Sequence, residues 1–299
     1  MDLHFREVTI DDKQWIEPLL GMSARGSLEY SFTTTYVWRN IYCFRIARMD
    51  DCFLLRAGSD KPNYLFPAGR GPLEPVILAL QEDAKQAGVP LVFNTVLPDA
   101  RAWLEQTYPG KFEFEYWRDG ADYVYETQAL ATLGGKKLAS KRNHIHRFLD
   151  NHPDWQYEPI TRDNLDDVTK MNHLWCIQNG CAENLGISDE YCAVVAAIRH
   201  FDELALSGGL IRSAGKVIAF SIGDPLNEDT FLVHFEKAFP DIQGAYPMIN
   251  QQFVQHSCMA YRYVNREEDA GIEGLRRAKE SYHPLRLVEK YIATLKEPI

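Results

Sequence analysis

Phe231-Leu232-Val233-His234-Phe235-Glu236-Lys237, then Asp241-Ile242-Gln243-Gly244-Ala245-Tyr246, then Met248 onward, reads as a strand, a loop and a helix in direct succession. Gly244 can take the positive φ that such a tight loop needs. A helix entered through a Gly turn offers unshielded backbone N–H groups, which can hold a phosphate. Glu236 closes the strand just before the loop, where a carboxylate can serve as a base toward a group bound beside the strand end. The surrounding chain predicts a helix over Asp189–Leu204, a hairpin of Gly209–Ser213 and Lys216–Gly223 around Ala214-Gly215, and a strand over Asp229–Lys237. Beyond the loop it predicts a helix through Met248, Phe253 and Val254, a strand over Tyr261–Asn265, a helix over Ile272–Ser281 and a last strand near Leu285–Ile292.

This half opens on Tyr157-Glu158-Pro159-Ile160-Thr161-Arg162-Asp163-Asn164, and the chain itself opens on the similar Phe5-Arg6-Glu7-Val8-Thr9-Ile10-Asp11-Asp12. Each is a short strand whose Thr leads into capping residues and a helical pattern. The first half continues with strands at Cys43–Ala47 and Phe53–Ala57 about a Met49-Asp50-Asp51 turn, then Tyr64–Pro67. A helix Glu74–Ala87, a strand Leu91–Thr95, a helix Asp99–Thr107 and strands near Phe112–Trp117 and Tyr123–Glu126 complete it. The element order resembles two tandem acetyltransferase-like (GNAT) domains of the α/β (α+β) class, each a mixed, mostly antiparallel sheet flanked by helices. The expected boundaries are 1–126 and 153–299, joined by a basic linker helix at 127–152 that starts after Gly134-Gly135 and ends before Pro153.

The composition, 45% hydrophobic and 25% charged over 299 residues, is that of a globular protein long enough for two cores. A net charge of -10 argues against a protein that coats DNA, because phosphate binding runs on Lys and Arg. No apolar run approaches the roughly 20 residues of a membrane-spanning helix. The N-terminus, Met1-Asp2-Leu3-His4-Phe5-Arg6-Glu7, has no export pattern, and the six cysteines form no C-x-x-C pair. The expectation is a cytoplasmic protein with reduced cysteines. His144-Ile145-His146 does not share a helical face, so no metal is expected.

The run Asp269-Ala270-Gly271-Ile272-Glu273-Gly274-Leu275-Arg276-Arg277-Ala278-Lys279-Glu280-Ser281-Tyr282-His283-Pro284, before a strand ending in Lys290-Tyr291, resembles the C-terminal domain of phosphatidylglycerol lysyltransferases. Gly135-Lys136-Lys137 followed by Lys141-Arg142-Asn143 is similar to the same family. The resemblance implies acyl transfer, with an aminoacyl group carried by tRNA as one donor. It implies Lys136, Lys137, Lys141, Arg142, Arg276, Lys279 and Tyr282 as substrate-binding residues, and Asp269 as a partner of the aminoacyl ammonium. Arg276, Lys279 and His283 fall on one helical face, beside an apolar face of Leu275, Ala278 and Tyr282. The alternative donor is acyl coenzyme A, its pyrophosphate held by Gln243, Gly244, Ala245 and Tyr246, although only part of the usual Q/R-x-x-G-x-G/A pattern is present. A catalytically silent binding fold is the third reading. The acceptor, a small molecule, lipid or peptide, is left open, as is any cofactor beyond those two donors.

Overall fold

The computed structural model describes residues 3–23 and 25–299. Met1 and Asp2, part of the N-terminal stretch read for an export signal, lie outside the described residues. In chain order come β1 (Arg6–Glu7), α1 (Lys13–Ser23), α2 (Phe32–Val37), β2 (Arg45–Met49), β3 (Cys52–Ala57), β4 (Asn63–Leu65) and β5 (Ala68–Gly69). Then follow α3 (Leu73–Gln86), β6 (Val92–Val96), α4 (Pro98–Thr107), β7 (Phe112–Tyr116), β8 (Asp122–Glu126), α5 (Thr127–Thr132) and α6 (Ala139–Asn151). The rest is β9 (Gln156–Pro159), α7 (Leu165–Gln178), α8 (Leu185–Arg199), β10 (Ser207–Ser213), β11 (Lys216–Pro225), β12 (Thr230–Ala238), α9 (Ala245–Phe253), β13 (Tyr263–Asn265), α10 (Glu273–Glu280), β14 (Arg286–Val288) and β15 (Tyr291–Leu295).

The chain divides into two compact units. Unit 1 holds residues 1–122, 268–271 and 288–299, and unit 2 holds 123–267 and 272–287. The first sheet runs β1-β2-β3-β4-β6-β15-β7, with β5 beside β3; the second runs β14-β8-β13-β12-β11-β10-β9. Both are mixed α/β layers of the expected class. The Asp50 turn between β2 and β3 and the Ala214-Gly215 turn between β10 and β11 lie where the sequence put them, each with positive φ (Asp50 51°, Ala214 49°, Gly215 75°). The halves are less linear than the sequence suggested. β8 pairs with β13 in the second sheet, and the expected final strand is two: β14 in the second sheet and β15 between β6 and β7 in the first. The break falls at Lys290, whose ammonium is drawn inside unit 1 to Asp122 (2.6 Å) and Glu29 (2.8 Å).

Unit 2 is built for a site at the end of β12. Phe231 and Val233 on β12, Met248, Ile249 and Phe253 on α9, and Ile145 and Phe148 on α6 share one core. Burying each such side chain is worth about 1.5–3 kcal/mol. Opposite Ile222 and Gly223, β12 carries one residue too many: Ile222 faces Phe235 and Gly223 faces Val233, so His234 forms a bulge. The bulge resets the alternation, and Glu236 follows Phe231 and Val233 onto the face toward α9.

The expectation of reduced cysteines is corrected at one pair. Cys43 and Cys192 are exposed, and Cys176 and Cys181 are joined as a disulfide, their Cα atoms 5.2 Å apart. The chain reverses at Gly180 (φ 76°) after α7, which brings together two residues that no C-x-x-C pattern announces. Among the described residues no helix is long and apolar enough to cross a membrane.

Candidate functional site

β12 and β13 run parallel for only three residue pairs, ending at Leu232 opposite Asn265. Beyond that point β12 continues to Ala238 while the other chain turns away, and polar side chains from both reach into the opening. Arg266 Nη2 donates to Glu236 Oε1 at 2.8 Å, and Asn250 Nδ2 on α9 donates to Glu236 Oε2 at 2.8 Å. Both carboxylate oxygens are therefore engaged. The guanidinium lies 4.7 Å from the Tyr282 ring centre and 5.6 Å from that of Tyr125, two rings packed edge to face. Lys141 Nζ, from α6, stands 4.0 Å over the same Tyr282 ring. Lys279 Nζ donates to the Arg266 carbonyl, and the Tyr125 hydroxyl donates to the Lys279 carbonyl at 2.8 Å.

Burial disfavours the Arg266 cation, but Glu236 outweighs it and holds the group firmly charged. Burial pushes the Tyr282 and Tyr125 phenols well up, out of reach of titration near neutrality. Lys141 moves the other way: burial first, then the charge of Arg266, bring its ammonium down to about 8 against the opposing pull of Glu236. Two buried atoms of the cluster, Arg266 Nη1 and Asn250 Oδ1, find no hydrogen-bond partner among the described residues.

A second charged group lies at the bulge. His234 donates from Nε2 to Asp224 and from Nδ1 to Glu267, both at 2.9 Å. Burial works against the imidazolium, yet Asp224 and Glu267 together raise it to about 10. The protonated ring ties β12 to the residue that follows β13's turn and so fixes the width of the opening. His234 was missed in the sequence reading, where it sat unnoticed within an apolar strand.

The residues expected from the sequence are distributed as follows. Glu236, Lys141, Lys279 and Tyr282 meet in this one cluster, and Arg276 is half-buried on α10. Lys136 and Lys137 are exposed in the turn before α6. Arg142 uses Nη1 on the carbonyls of Leu133 and Gly135 (2.8 Å to the latter), closing the end of α5. His283 is exposed, with φ 54°. Asp269 belongs to unit 1, where it is fully buried, paired with Arg118 at 3.2 Å and accepting from the Gly271 amide at 2.9 Å. It does not cap α10, whose N-cap is Ile272. α10 packs only partly as expected: Tyr282 beyond its end is buried, but so is Lys279, while Leu275 and Ala278 are exposed.

The Gln243–Tyr246 loop packs closely against α6. Gly244 has φ 85°, and the side where a Cβ would stand is filled by the His144 carbonyl oxygen of α6, 2.2 Å from that position. The Ala245 amide donates to the Ile242 carbonyl, Pro247 has no N–H, and the Met248 amide bonds within the helix to Gly244. Tyr246 points its hydroxyl toward Trp175 Nε1 at 3.3 Å, and Gln243 is exposed.

Comparison with known proteins places this geometry. A crystal structure of a conserved protein of unknown function from Bacteroides thetaiotaomicron is 40% identical, covering 98% of this chain and 100% of that one with a TM-score of 0.93. The L-PGS structure from Bacillus licheniformis has a TM-score of 0.66 at 16% identity, over 96% of this chain and 92% of that chain. A tandem GNAT protein from the clavulanic acid biosynthesis pathway shares the fold at 10% identity, over the full length of both chains, with a TM-score of 0.51. An uncharacterized protein of Mycoplasmoides gallisepticum is 25% identical over 199 residues, and the match spans 60% of its length. Residues 22–294 match the family described as phosphatidylglycerol lysyltransferase, C-terminal. With that match over most of its length, and with a fold shared with a tandem GNAT protein, the chain belongs to the phosphatidylglycerol lysyltransferase C-terminal family.

Proposed function

We propose that unit 2 transfers an aminoacyl group from an activated ester to an amine or hydroxyl acceptor, with the aminoacyl end held at Glu236, Arg266 and Asn250. The observation that carries this reading is the pair of unsatisfied buried atoms on either side of the Glu236 carboxylate. Buried polar atoms are rarely left unpaired, so a donor at Arg266 Nη1 and an acceptor at Asn250 Oδ1 call for a small group offering the converse. An α-aminoacyl ester does: its carbonyl oxygen accepts from Arg266, and its ammonium donates to Asn250 and Glu236. The same guanidinium would stabilise the oxyanion that forms when the acceptor attacks. Tyr125 and Tyr282 give the ammonium a π surface. The close packing of Gly244 against α6 favours this reading over the coenzyme A alternative.

Binding of amino acid amides to the full chain tests this, with coenzyme A as the comparison. Amides are expected to bind and coenzyme A to leave the protein unchanged. Asn250→Ala is expected to weaken amide binding roughly tenfold, the loss of one charge-assisted bond. Thermal melting controls for folding. Transfer from aminoacyl-tRNA to added amines then separates an enzyme from a silent binding fold. Binding of coenzyme A in preference to the amides would overturn the reading.

A further inference from the structure

Lys141 is a cation of the cluster with no carboxylate of its own among the described residues. Arg266 and Lys141 stack on the same Tyr282 ring, at 4.7 and 4.0 Å, and the carboxylate beside them, Glu236, is joined to Arg266. Two cations thus share one anion in a half-buried setting, and the flexible ammonium, unlike the guanidinium, can give up its proton. The groups bearing on Lys141 are Arg266 after β13, Glu236 on β12 and Tyr282 after α10. The ring face favours the cation, but burial and Arg266 prevail. The amine also stands beside the Glu236–Arg266 pair, where the aminoacyl reading puts an activated carbonyl.

We infer that Lys141 is a self-modification site, an amine that captures activated acyl groups as Nε-acyl-lysine. With an acyl phosphate, the lone pair of neutral Nζ attacks the carbonyl carbon and the C–O bond to phosphate breaks. The phosphate leaves with the electron pair, and the proton shed by nitrogen passes to phosphate or water. The new amide has no charge, so acylation removes the second cation from the Tyr282 ring. The chemistry needs only the amine, so it stands or falls separately from the aminoacyl reading.

The test uses the full-length protein and acetyl phosphate, with site-resolved mass spectrometry across pH 6.5–9.5, a window of about 1.5 units around the Lys141 midpoint. Lys136 and Lys137, exposed and just upstream, serve as internal controls. Lys141 is expected to be acetylated roughly tenfold faster than either at pH 7.5, because a far larger fraction of it is neutral than of an ordinary lysine near 10.4. Glu236 raises the Lys141 midpoint, so Glu236→Gln is expected to move its labelling curve to lower pH, a shift that accessibility alone would not produce. Lys141→Arg should abolish the modification. Equal or faster labelling at Lys136 and Lys137 in the wild-type protein overturns the inference, whatever the variants do.

Discussion

Glu236 shows how far a residue's identity can be trusted without its neighbours. A strand-end carboxylate is legible as a candidate base from sequence, but the structure engages both of its oxygens, with Arg266 and Asn250. In the proposed reading it holds and orients, and the group able to exchange a proton near neutrality is Lys141, brought down to about 8 by burial and Arg266. His234 makes the complementary point, because a histidine amid apolar residues reads as core until Asp224 and Glu267 are seen beside it. Since its folded value is raised from 6.5 to about 10, its contribution to stability is complete below pH 6.5 and is lost as pH rises through about 10. His234→Phe strands two carboxylates and is expected to cost about 3–5 kcal/mol at pH 7. In urea titrations the gap between wild type and variant should narrow by pH 10.5; a gap that stays constant would show that the ring is not an imidazolium.

At the scale of elements, α10 and the Gly244 loop overturn what periodicity implied. Amphipathic spacing in α10 is real, but Lys279 packs inward in place of Leu275 and Ala278, because it meets the Arg266 carbonyl and Tyr125 meets the Lys279 carbonyl. Leu275→Lys should therefore change stability by no more than about 0.5 kcal/mol, whereas Lys279→Ala should cost about 1.5–3 kcal/mol, as chemical denaturation will show. Equal effects would contradict the orientation of the helix. Gly244 is fixed by both its φ of 85° and the His144 carbonyl beside it. Gly244→Val is expected to destabilise unit 2 by about 3 kcal/mol or more and to speed amide exchange along α6, whether or not any coenzyme is present. A variant as stable as wild type, with α6 protection intact, would mean that the loop is open after all.

For the whole molecule, the two sheets take strands out of linear order. β15 lies between β6 and β7, with Lys290 buried just before it, so the last twelve residues complete the first unit's sheet. Removing residues 290–299 cuts that sheet in two and leaves Asp122 and Glu29 without their ammonium. The truncated chain is expected to lose hydrogen-exchange protection throughout β6, β7 and α4. Protection retained there would show that the unit does not depend on its final strand. A division at 126 and 153 would have predicted damage confined to the C-terminal fold.

Hydrophobic periodicity, turn residues and the matched openings at Phe5 and Tyr157 were enough to determine the class of fold, most element positions and the strand, loop and helix around Gly244. Those features are local: a strand alternates, a helix repeats and a Gly-bearing turn bends within a few residues, whatever lies across the molecule. The phosphatidylglycerol lysyltransferase C-terminal family was legible for the same reason, through short runs such as Gly274-Leu275-Arg276 and Lys141-Arg142-Asn143. Glu236, Lys141, Lys279 and Tyr282 could be named from sequence, but not their arrangement. Only tertiary structure decided that Arg266 holds Glu236, that α6 closes the Gly244 loop, that Asp269 pairs with Arg118, and that β8 and β15 serve different sheets. Those outcomes depend on desolvation and charge pairing between residues tens to hundreds of positions apart, and no local pattern records which charge will be buried against which.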